Sequence, residues 1–138
     1  MSSESKKVAG AILIILPTVM IGGVSILTLL IGSPEYMQNQ LRQDLWRAGH
    51  AHAGVFLILT LIALRYVDEA TLSERSKWFV RLSIPSAAIL LPVAFFFSVL
   101  KPDAREPNAM IYLAYVGAVV LAVGATVLGI GLIKRPRV

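Results

Sequence analysis

Both histidines of the chain fall in one short segment, Trp46-Arg47-Ala48-Gly49-His50-Ala51-His52-Ala53-Gly54. Imidazole is the commonest metal ligand and a ready acid–base group near neutral pH, so chemistry is sought here first. The following run is apolar, and an ionisable side chain inside such a run is costly enough to mark a functional site by default. The plainer alternative seats both rings at the water–lipid boundary, bonded to water or loop backbone. His50, nearer the charged residues, suits that alternative better than His52, which small residues flank.

Helix geometry limits what the pair can do together. At about 100° per residue, positions two apart point roughly 200° from each other. One metal ion then cannot take both rings unless the helix begins after His52. Zinc would want further ligands, and the chain has no Cys and no third His. A lone histidine can instead hold a cofactor that brings its other donors with it. Haem does so, because the porphyrin leaves only axial positions to the protein. His52 is the expected axial ligand, with His50 as the alternative. Ala48 and Gly49, one turn before His52, and Val55 and Phe56, one turn after, share its face. Gly49 would let a flat macrocycle approach the backbone, Phe56 would give it a dry wall, and Arg47 would pair with a propionate. Small residues around a histidine suit plain helix packing as well.

Further polar groups gather at the same depth. Phe95, Phe96, Phe97 and Ser98 end the third apolar run, while Asn108, Tyr112 and Tyr115 open the fourth. Tyr112 and Tyr115 are three apart and share a helix face. They are either anchors of an interfacial aromatic belt or candidate catalytic hydroxyls, Tyr115 being the deeper. A third use of the region is copper handling by His50 with Met37 or Met110, since imidazole and thioether donors suit Cu(I).

The elements that must position these groups follow from composition. Of 138 residues, 57% are hydrophobic and 15% charged, with a mean hydropathy of +0.74. A soluble domain carries about 25% charged residues. A water-soluble enzyme, a disordered chain and a nucleic-acid-binding module are thereby excluded. The absence of Cys excludes disulfides and thiolate sites. The formal net charge is +5, but the basic residues lie almost wholly outside the apolar runs, where membrane proteins keep them.

A spanning helix needs about 20 mainly apolar residues. Residues 8–31, 48–67, 78–100 and 108–133 qualify, predicting an all-α integral membrane four-helix bundle in a single domain, 1–138. The first run is too long for a signal-peptide core and is expected to remain as an anchor. Four spans put both termini on one side. Lys6, Lys7, Arg65, Arg75, Lys77, Arg81, Lys134, Arg135 and Arg137 would share that side, against Arg42, Arg47, Lys101 and Arg105 opposite. By the positive-inside rule the termini are cytoplasmic, and a bacterial inner (plasma) membrane is the expected location. Residues 34–47, with Met37, Leu41 and Leu45 every four residues, predict a short amphipathic interfacial helix, either shaping the entry to the second span or lidding a site. Ala114, Ala118, Ala122, Ala125 and Gly129 form a small-residue ridge for close helix approach, within the bundle or onto another copy. Pro17, Pro85 and Pro92 are expected to bend their helices.

A small four-span chain with Trp46, the motif His52-Ala53-Gly54 in the second span, and Phe97-Ser98 followed by Pro102 resembles the styrene oxide isomerases. The resemblance covers most of the chain in span number and spacing. It implies a trimer binding haem b at subunit interfaces through His52, with ferric iron acting as Lewis acid on a lipophilic epoxide. The product would be an aldehyde, with no net redox change. The sequence departs from the family at Phe95, where the family has a tyrosine, at Ile58, where it has an asparagine, and at the additional His50. The haem site therefore carries over better than the epoxide chemistry. The His-x-His spacing is also similar to that in haem–copper oxidases, but the copper-ligand histidines are missing. A non-enzymatic accessory or assembly subunit of a larger membrane complex is the competing expectation, and the α-helical ridge fits it equally well.

Overall fold

The structure is a computed structural model and describes residues 1–134; Arg135 and Arg137 lie outside the described residues. It is all-helical, with no strand among those residues. Helix α1 spans Ser3–Gly32, α2 Pro34–Gln38, α3 Gln40–Tyr66, α4 Glu74–Ser98 and α5 Tyr112–Ile133, the last preceded by a 3-10 turn, Ala109–Ile111. Four of these elements, α1, α3, α4 and α5 with its 3-10 turn, are long and apolar enough to cross a membrane.

The helix starts are written in short polar side chains. Ser2, Ser33, Asn39 and Ser73 each accept a hydrogen bond from a first-turn backbone N–H, satisfying donors that the helix leaves unpaired. Pro17, Pro85 and Pro92 lie inside helices that continue past them.

One boundary differs from the sequence expectation. Residues 34–47 are not one interfacial helix. Pro34 opens the single-turn α2, and Asn39, with φ −106° and ψ 88°, interrupts it. The Asn39 amide also donates to the carbonyls of Pro102 and Ala104 at 2.9 Å, drawing this residue into the α4–α5 loop. The same side chain caps α3, so residues 40–47 are its first two turns. His50 and His52 consequently lie well inside a continuous helix rather than at its mouth.

Helix α4 occupies the middle of the molecule, packed on α3 and α5, while α1 packs on α3. One core cluster joins Ala63, Val67, Val80, Ile84 and Leu128 across α3, α4 and α5. A second joins Ile12, Leu57 and Ala88 across α1, α3 and α4. On α5 the face against α4 is a glycine stripe. A Cβ on Gly117 would strike Leu91, one on Gly124 would strike Ser83, and one on Gly131 would strike Leu72 of the α3–α4 loop. The expected ridge points elsewhere: Ala118, Ala122 and Ala125 are exposed, and nothing lies within 4 Å of a Cβ on Gly129. Glycines let backbones approach closer than alanines do, which explains why the adjacent stripe takes the contact.

The start of α1 and the end of α5 meet the α3–α4 turn at one end of the molecule, where Asp68 accepts from the Ser2 N–H and the Thr71 N–H donates to the Gly131 carbonyl. There Arg81, 2% exposed, donates to Asp68 at 2.7 Å and to the Ser5 and Ser2 hydroxyls. Asp68 also accepts from the Ser5 hydroxyl. Burial by itself would raise the Asp68 pKa, but the Ser2 N–H, the Arg81 guanidinium and the two hydroxyls bring it down to about 2. This node ties the start of α1 to the α3–α4 turn.

Candidate functional site

His50 and His52 serve different faces of α3, as their spacing requires. The His50 ring lies against the Gly22-Gly23 pair of α1, where a Cβ on Gly23 would come within 2.9 Å of its Cε1 and Nε2. The glycine pair is therefore the notch that admits an imidazole between α1 and α3. Met110 belongs to the turn before α5, whereas His50 faces α1 on the far side of α3. Met37 is exposed on α2. No three His, Cys, Asp or Glu side chains converge on a common point among the described residues.

His52 turns toward α4. Its Nδ1 lies 2.6 Å from the Ala48 carbonyl oxygen. A carbonyl can only accept, so in the neutral ring Nδ1 carries the proton and Nε2 holds the lone pair. Phe56 of α3 and Phe95 of α4 close on the ring, each with its centroid 5.3 Å away. The imidazole is half-buried, and its exposed neighbours on α3 are Ala51 and Val55.

That arrangement has the donor chemistry of an axial haem ligand. Metal-bound histidines regularly donate their second ring N–H to a carbonyl, which orients the ring and makes the ligating nitrogen more basic. Two expected partners fall out of place. Gly49 is buried, but Phe96 and Phe95 fill the space beside it, at 3.0 and 3.3 Å from a Cβ built there. It supports close α3–α4 packing, and any flat group at His52 must approach from the open flank beside Val55. Arg47 is five residues from His52, roughly 140° away around the helix. Its guanidinium folds back onto Gln43 and lies 3.6 Å from Asp44, on the side shared with His50. Phe56 alone of the expected cofactor-binding neighbours touches the His52 ring.

Tyr112 and Tyr115 do share a face, with ring centroids 6.2 Å apart, but they are 67% and 68% exposed on the outside of α5. Neither contributes to the surroundings of His52 within this chain. Ile58 is likewise exposed, at 53%.

A cluster missed in the sequence roofs the site. Arg42, expected among the loop cations, is buried, with its guanidinium 4.5 Å from the centre of the Trp46 ring. It donates to the Val99 and Leu100 carbonyls beyond the end of α4, and Trp46 Nε1–H donates to the Phe96 carbonyl. Tyr36 packs against Trp46, and burial raises its phenol pKa despite the nearby Arg47 and Arg42. The available signal was Arg42 four residues before Trp46, a spacing that stacks two side chains on one helix face. Two open clefts lie outside this roof, of about 650 and 500 Å³, sharing Asp103, Ala104 and Arg105. His52 lines neither.

No family model, no curated protein and no solved structure matches the chain.

Proposed function

We propose that the chain is an integral membrane protein that binds haem b through Nε2 of His52. One observation carries this reading: Nδ1 is tied to the Ala48 carbonyl, which leaves Nε2 as the lone-pair atom on a half-buried ring among aromatics. The four long apolar helices support the membrane location. The excess of basic residues at the terminal end supports cytoplasmic termini and a bacterial inner membrane.

Bound at His52, ferric haem would supply a Lewis acid able to open a lipophilic epoxide without net redox change, the activity of the styrene oxide isomerases that the chain resembles. Phe56 and Phe95 exclude water from the imidazole and hold its plane. Phe95 brings no hydroxyl to the place where that family has a tyrosine. Tyr112 and Tyr115, facing outward, could serve a substrate only from a neighbouring copy, in keeping with the trimer implied by the resemblance.

Protein purified from haem-replete cells is expected to show a Soret band that His52→Ala removes and His50→Ala retains. A colourless wild-type preparation contradicts haem binding. Conversion of an aryl epoxide to its aldehyde tests the isomerase step separately. A haem-loaded chain without turnover would reduce the role to haem binding.

The outward Ala118, Ala122 and Ala125 ridge favours a second reading, a non-enzymatic subunit docked on a larger membrane partner. It predicts co-purification of that partner and its loss on Ala118→Leu. A monodisperse chain carrying no partner excludes it.

A further inference from the structure

We propose that the end of the molecule carrying Lys6, Lys7 and Arg75 binds the phosphate headgroups of anionic phospholipids. This inference rests on the membrane part of the proposed function and is independent of haem.

The fold engages the acids of this end and leaves several of its bases exposed. Asp68 is engaged by Arg81, Ser2 and Ser5, Glu69 is bonded by Arg65, and Glu74 pairs with Lys77. Lys6, Lys7 and Arg75 are exposed, with no ion-pair partner among the described residues. Glu4 is the one acid of this end outside those pairs. The opposite end lacks this imbalance: Lys101 and Arg105 share its exposed surface with Glu35 of α2 and with Asp103 and Glu106.

Depth is set by contacts already described. Arg81 bonds Ser5, which places Lys6 and Lys7 at the level of Arg81. Trp78, 42% exposed, has its ring 5.3 Å from the Arg81 guanidinium, and Arg75 lies one turn further out. Exposed tryptophans mark the headgroup level. The three cations therefore stand where lipid phosphates are, on two helices joined by one buried node. Basic groups at that depth attract anionic lipid, each contributing additively near the surface.

The test is native mass spectrometry of the full chain released from nanodiscs of equimolar phosphatidylglycerol and phosphatidylcholine. Preferential retention of phosphatidylglycerol by at least about fivefold, what a single surface charge contributes, is expected. The preference should vanish in Lys6→Gln/Lys7→Gln/Arg75→Gln and persist in Lys101→Gln/Arg105→Gln. Equal retention of the two lipids, a preference surviving the triple substitution, or a preference lost in the opposite-end pair each overturns the proposal. Extraction of the wild-type chain from membranes by alkaline carbonate would instead overturn the membrane reading on which it rests.

Discussion

His52 spends one ring nitrogen on a carbonyl and keeps the other, whereas His50 is wedged into a glycine notch. Removing the two rings should therefore have unlike consequences. In His52→Gly, loss of the Soret band should be reversed by millimolar imidazole entering the vacated space, as expected if only the axial donor is missing. Failure of imidazole to restore it while the fold is intact would assign His52 a packing role. Gly23→Ala should displace His50 and lower thermal stability by about 1–3 kcal/mol, the usual cost of overpacking. Beside the α3–α4 turn, Asp68→Asn would leave the buried Arg81 with only the exposed Glu74, 3.9 Å away, as counter-charge, costing about 3 kcal/mol. The folded-state pKa of Asp68 is depressed, so its contribution is full above the unfolded value near 4 and is lost as pH falls toward about 2. Melts of the wild type should show that loss between about pH 4 and 2, with the Asn variant flatter across the window. At this scale the sequence displayed that the histidines face apart. It did not display that Phe96 fills the space beside Gly49, because that depends on how α4 lies on α3.

Among the elements, the four long helices were legible because apolar runs of spanning length are a strong signal. The start of α3 was not. The Met37, Leu41 and Leu45 spacing runs across Asn39, and only the bonds of Asn39 to Pro102 and Ala104 show where the chain breaks. Which α5 face makes the contact within the chain stayed open in the sequence for a related reason. Alanine and glycine stripes lie on neighbouring faces of that helix, and the glycines, spaced seven apart at 117, 124 and 131, permit the closer approach. Gly124→Leu should consequently separate α4 from α5 and sharply reduce the yield of folded protein, while Ala118→Leu should leave the fold and its melting temperature nearly unchanged. Size-exclusion chromatography with thermal melts in the same detergent distinguishes the two. Equal tolerance of both substitutions would contradict the assigned face.

Over the whole molecule, α4 is the spine, α1 and α5 form the flanks, and the histidine site sits below an aromatic roof made by Tyr36, Trp46 and Phe96. The open flank of His52 lies beside Val55, on a surface that would face lipid or another copy rather than water. The burial of Arg42 and Arg81 could not be read from charge patterning, because each is satisfied by groups distant in sequence: Val99 and Leu100 for the first, Ser2, Ser5 and Asp68 for the second. The most direct test of the account is a titration of ferric haem into detergent-purified chain, followed by absorbance, with the wild type beside His50→Ala and His52→Ala. Saturable appearance of a Soret band in the wild type and in His50→Ala, with only unbound haem in His52→Ala, is the predicted result. A spectrum indifferent to His52 would contradict it.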